Sequence, residues 1–120
     1  MTQTIELSKW HSPDTDPEVF LPTLFGKLVE LAFPIVKHYH SDLYRDAQWL
    51  QHYAEDIARG EPFYYGIREH GTHIGTDSML KQYNSFTYKA TVQNIDKVWT
   101  LTLELIDPDP TNPSFSEANS

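Results

Sequence analysis

The hydrophobic period changes after Gly60, and this change limits the fold more than any other feature of the chain. Upstream, "LPTLFGKLVELA" places Leu21, Leu24, Phe25, Leu28, Leu31 and Ala32 at helical spacing, so one face is apolar. "SDLYRDAQWLQHYAEDIARG" does the same with Leu43, Ala47, Leu50, Ala54 and Ile57. Ser41 can cap that second helix and Gly60 can end it. Downstream, apolar residues alternate instead. "PFYYGIRE" and "THIGT" flank "HG"; "SFTYKATVQ" alternates Phe86, Tyr88, Ala90 and Val92; "KVWTLTLELI" alternates Trp99, Leu101, Leu103 and Leu105. A period of two reads as antiparallel strands with one buried face. Helices with a stripe to bury and a sheet with a face to bury satisfy each other. The expected fold is α+β, a two-helix layer on a four-stranded antiparallel sheet. "TIELS", with Ile5 and Leu7, adds a short fifth strand at the N-terminus.

The prolines set the boundaries. Pro13 and Pro17 break "HSPDTDP". Asp16 is a good N-cap and Pro17 a good first helical residue, yet an interior Pro22 removes a hydrogen bond and clashes with the preceding turn. A continuous helix starting near Pro22, and kinked or ended by Pro34, resolves the conflict. A chain of 120 residues fits one domain. Residues 1–106 form it, and 107–120, "DPDPTNPSFSEANS", read as a disordered acidic, proline-rich tail.

Composition excludes several classes. There is no cysteine, hence no disulfide, no thiolate metal site and no cysteine nucleophile. The start lacks a signal-peptide pattern, and no apolar run approaches the ~20 residues that span a bilayer. The expected location is cytoplasmic. Seventeen acids against nine bases give a net charge of −8. Residues 1–60 hold nine acids and five bases and residues 61–120 hold eight and four, so each half carries −4. That sign argues against direct nucleic-acid binding, which calls for a basic footprint. It permits a protein partner that presents a basic groove.

"REHGTHIGTD" holds the densest polar cluster. A two-residue turn at His70–Gly71 pairs Glu69 with Thr72, Arg68 with His73 and Ile67 with Ile74. Phe63, Tyr65, Ile67 and Ile74 then share the buried face, and Tyr64, Arg68 and His73 the solvent face. "HGTHIGT" resembles the catalytic-histidine motif of subtilisin-type serine proteases over about ten residues. The match is coincidental. One residue of that motif is missing, the echo of the serine motif in "GTDSML" is interrupted by Asp77, and the two overlap, so no scaffold can bring them together as a triad.

Metal chemistry has its best candidates in His38, His40 and Asp42 of "KHYHSD", where residues two apart point the same way in an extended segment. His52 and Asp56 share a helix face. None of this matches a known metal spacing, and there is no phosphate loop, dinucleotide fingerprint or nucleophile elbow. No catalytic residue and no cofactor are assigned. The expected function is a small acidic, non-enzymatic protein-binding domain. By type it fits a phage- or plasmid-type inhibitor or antagonist of a nucleic-acid-handling protein, an anti-defence role. Its expected contacts are Tyr64, Arg68, Glu69, His70 and His73 on the hairpin, with Asp42, Asp46, Glu55 and Asp56 on an acidic helix face. The alternative is a small-ligand or metal-assisted enzyme domain whose pocket is lined by His38, His40 and His52. A homodimer paired through an exposed strand edge is compatible with the first reading.

Overall fold

The computed structural model of the chain describes residues 2–9, 16–37, 39–80 and 86–106, and the side chains at 8, 9, 39, 40, 79 and 80 lie outside that description. The elements are β1 (Thr2–Lys9), a 3-10 turn (Pro17–Val19), α1 (Leu21–Ala32), α2 (Tyr39–His52), α3 (Ala54–Ala58), β2 (Phe63–Arg68), β3 (Gly71–Gly75), α4 (Asp77–Leu80), β4 (Tyr88–Ile95) and β5 (Val98–Leu105). The five strands form one sheet in the order β1-β5-β4-β2-β3, every neighbour antiparallel. Helices α1, α2 and α3 pack on one face of it.

Two counts differ from the sequence expectation. The N-terminal strand is a full edge strand of eight residues, so the sheet has five strands rather than four. The expected second helix breaks at Tyr53, whose φ of −102° and ψ of 18° leave the helical region, so the helical layer has three members. The proline reading agrees with the structure at the first helix. Asp16 caps a short 3-10 turn by accepting from the Glu18 N–H at 3.1 Å, and α1 then starts at Leu21 with Pro22 in its first turn, where a missing N–H costs nothing.

The core lies between the layers. Leu24, Leu28, Leu50 and Ile57 come from the helices, and Phe63, Tyr65, Val92, Trp99, Leu101 and Leu103 from the sheet. Phe20, just before α1, stacks on Trp99 with ring centroids 4.6 Å apart. Trp49 lies partly buried against this core; Trp10 lies outside the described residues.

The β2–β3 register departs from expectation by two residues. Arg68 pairs with Gly71, Ile67 with Thr72, Gly66 with His73 and Tyr65 with Ile74, so the turn residues are Glu69 and His70. A shift of two preserves side-chain parity. Phe63, Tyr65, Ile67 and Ile74 therefore keep the core face, and Tyr64, Arg68 and His73 the opposite one. That opposite face is not open to solvent at Tyr64, which is 4% exposed. Phe86 lies against Tyr64 and His73, at 5.8 and 4.8 Å between ring centroids, instead of continuing the core alternation of β4.

The β4–β5 hairpin turns on Asp96 and Lys97, with φ of 52° and 69°. Positive φ at both central residues is the geometry that favours Asn-Gly. Asp96→Asn with Lys97→Gly is expected to raise stability by about 1 kcal/mol. Urea denaturation reads this as a higher midpoint at unchanged slope; a lower midpoint contradicts it.

Candidate functional site

Two carboxylates on α2 face inward. Asp42 and Asp46, one turn apart, are 8% and 4% exposed, and α2 packs over β3. This corrects the expectation that they form a solvated acidic face. The Thr72 hydroxyl donates to Asp46. Arg45 donates to Asp42 Oδ1 at 2.5 Å from the exposed side of the helix. The Asp46 carboxyl is pushed up from 3.8 to about 6, chiefly by burial; the Thr72 hydrogen bond opposes this, while the neighbouring Asp42 charge adds to it. Burial and the Asp46 charge together raise the Tyr65 phenol, whose hydroxyl donates to the Leu28 carbonyl at 3.3 Å. Gly71 closes the cluster from the hairpin, against the Asp42 carboxylate. This arrangement ties α2 to β3 and leaves the two carboxylates largely buried.

The reverse side of the hairpin holds a second polar cluster. The Tyr64 hydroxyl donates to Asp77 of α4, and burial together with that hydrogen bond pushes the phenol up to about 12. Arg68 donates to Thr87 Oγ1 at 3.0 Å and to the Ile67 carbonyl at 2.7 Å. Thr87 is fully buried, and its hydroxyl oxygen also accepts from the Ile67 N–H at 3.0 Å. Tyr64 and Arg68 are thus built into the packing. At the tip, Lys37 pairs with Glu69, and the Lys37 N–H donates to the Glu69 carbonyl at 3.1 Å. The Lys37 ammonium holds the Glu69 carboxyl below its ordinary value. His70 is exposed beside it.

The charge left at the surface gathers around α3. Glu55, Glu61 and Asp77 are exposed and Asp56 half-buried. Among the described residues, Arg59 alone forms an ion pair with any of these four, at Asp56. Asp56 borders two open cavities. One, of about 410 Å³, is shared with Pro17, His52 and Glu55. Asp16 and Glu18, both exposed, flank Pro17. The other, also about 410 Å³, lies between the α2–α3 junction, the Glu61–Phe63 segment and Thr76–Ser78. Its wall is aromatic: Trp49 stacks on Tyr53 at 4.3 Å between centroids, with Phe63 6.2 Å from Trp49. Asp56, Glu61 and Asp77 also line it.

The structure therefore brings Glu55 and Asp56 together with Asp77, which the sequence shows beside the hairpin histidines, and with Glu61, which carries no sequence signal, and separates them from Asp42 and Asp46. Of the metal candidates, His38 and the His40 side chain lie outside the described residues, and the Asp42 carboxylate faces Gly71 and Arg45. Among the described residues no group of three or more histidines and acids is placed to hold a metal ion. His52 is exposed at the first cavity and stacks edge-on against Tyr53 at 4.8 Å. No described helix is long and apolar enough to cross a membrane. Comparison with protein-family models, with curated proteins and with solved structures found no match for the chain.

Proposed function

We propose that this chain is a small acidic, non-enzymatic protein-binding domain. By its type it is an inhibitor or antagonist, as phages and plasmids encode, of a protein that handles nucleic acid. Its contact surface is the acidic end around α3. The observation that supports this is the gathering of Glu55, Asp56, Glu61 and Asp77 around open cavities with Arg59 as their one paired cation among the described residues. Like charges held together repel, and a surface of this kind costs stability that a basic partner offsets on binding. It also steers the encounter with a positively charged groove, of the sort that grips nucleic-acid backbones. The hairpin contributes its exposed tip at His70, next to the paired Glu69.

The test is capture of the tagged protein's partner from source-cell lysate with and without nuclease, followed by affinity measurement on the purified pair. One partner at a stoichiometry near one-to-one is expected. Its affinity should fall at least ~10-fold between low and high salt, since exposed charges are screened beyond roughly 10 Å at 0.1 M. Glu55→Gln with Glu61→Gln should weaken binding by about as much and flatten the salt dependence. An affinity indifferent to both salt and these substitutions rules out the acidic surface.

A further inference from the structure

We infer that the cavity walled by Trp49, Tyr53 and Phe63 receives a single arginine side chain of the partner. The inference rests on the protein-binding reading above and assigns that surface its central contact. Three features of the cavity select a guanidinium. Trp49 and Tyr53, half-buried and stacked on each other, line the cavity beside the buried Phe63, and an aromatic lining of this kind attracts a planar cation. Asp56, Glu61 and Asp77 share the cavity lining with those rings. Glu61 has no side-chain partner among the described residues, while Asp56 and Asp77 each accept one donor, from Arg59 and from Tyr64. An ionised carboxylate has about four lone-pair sites, so each keeps capacity for a second donor. The third feature is size and mouth. About 410 Å³ open to solvent fits a side chain entering from outside, with its apolar stem along the rings and its charged end at the acids. An ammonium would find the same charge but has neither the plane to stack nor the fork to bridge two carboxylates.

The probe is a blocked Gly-Arg-Gly peptide titrated into the whole protein and followed by the indole N–H resonances of its three tryptophans. Trp49→Phe assigns the Trp49 signal while keeping a ring in place. The expected result is a saturable millimolar shift of Trp49, with the Glu61 and Ser78 amides moving alongside. A citrulline peptide, identical but uncharged, should bind at least tenfold more weakly, and a lysine peptide several-fold more weakly. Glu61→Gln, an exposed change that leaves the fold intact, should weaken the arginine peptide at least threefold. Equal response to arginine and citrulline, equal response to arginine and lysine, or no shift of Trp49 overturns the inference. Partner capture keeps the two readings apart. A partner bound equally well by wild type and Glu61→Gln, with Trp49 silent to the peptide, sinks the arginine site and spares the surface. An arginine-selective shift at Trp49 without any stoichiometric partner supports the site and sinks the surface reading.

Discussion

Alanine at position 71 is expected to destabilise the fold by about 3 kcal/mol, a loss in the range reserved for strained backbone and buried overlap. Gly71 opens β3 with φ at +151°, a conformation that L side chains rarely adopt. A Cβ there would also overlap the Asp42 carboxylate, with Asp42 Cγ only 2.7 Å away. Relief requires the buried Asp42 side chain to turn away from the hairpin, or the hairpin to leave α2 against the Thr72–Asp46 contact. Urea denaturation measures the loss. The double variant Gly71→Ala with Asp42→Ala separates its two parts. Removing the carboxylate abolishes the overlap and should recover about half the loss, leaving roughly 1–2 kcal/mol of backbone strain. The Asp42–Arg45 pair lost in that background contributes little, because Arg45 is mostly exposed. A Gly71→Ala cost below about 1 kcal/mol would mean that the hairpin can move away from α2 after all.

The same hairpin shows what periodicity can and cannot read. Alternation assigned Phe63, Tyr65, Ile67 and Ile74 to the core face correctly, because parity survives any even shift in register. The register itself was not legible. The expected His70–Gly71 turn placed the glycine inside the loop, whereas it stands at the first strand position, where contact with Asp42 sets the need for a missing side chain. That need arises from α2, far away in sequence. The fifth strand was visible in Ile5 and Leu7, and its full length was not, since its outer residues are polar and exposed as on any edge strand. Phe86 fits the alternation of β4 and leaves it in space, because covering Tyr64 buries the ring on the other side of the sheet.

The site was less legible than the fold. Hydrophobic spacing on α2 picked Leu43, Ala47 and Leu50, which is the stripe a helix shows to an apolar layer. In the structure Asp42, Asp46 and Leu50 are the buried residues of that turn series, while Leu43 and Ala47 are only partly covered. A carboxylate facing inward reads as solvated unless its partners are known, and here they are Thr72 on β3 and an exposed Arg45 reaching round the helix. The cavity escaped for a related reason. Trp49 and Tyr53 are four apart and read as core, while Glu61 falls on a connecting segment and Asp77 opens the short α4. Three chain segments must meet before the chemistry appears. The one signal available was the spacing of Trp49, Tyr53 and Asp56, which puts two rings and an acid on one side of the helical layer.

Asp46→Asn is expected to stabilise the protein at pH 7 by about 2 kcal/mol and to remove a distinctive pH dependence. In the folded chain the Asp46 carboxyl titrates near 6 against an ordinary 3.8, so the folded state binds its proton more tightly than the unfolded chain does. Stability associated with this group is therefore fully present below pH ~4 and is lost as pH rises through about 6. Each pKa unit corresponds to ~1.4 kcal/mol, so the loss by pH 7 approaches about 3 kcal/mol. Asparagine keeps an oxygen to accept from Thr72 and carries no charge, but its NH2 needs an acceptor in a buried place, which takes back about 1 kcal/mol. Urea denaturation of both proteins from pH 4 to pH 8 isolates the effect, because every other titrating group is common to the two. The variant should equal or trail the wild type near pH 4, draw level between pH 4 and 6, and lead by about 2 kcal/mol at pH 7. Curves that run parallel across the series would show that the Asp46 charge is compensated at neutral pH. Arg45 would then be its source, reaching Asp46 as well as Asp42, and Arg45→Gln would restore the divergence.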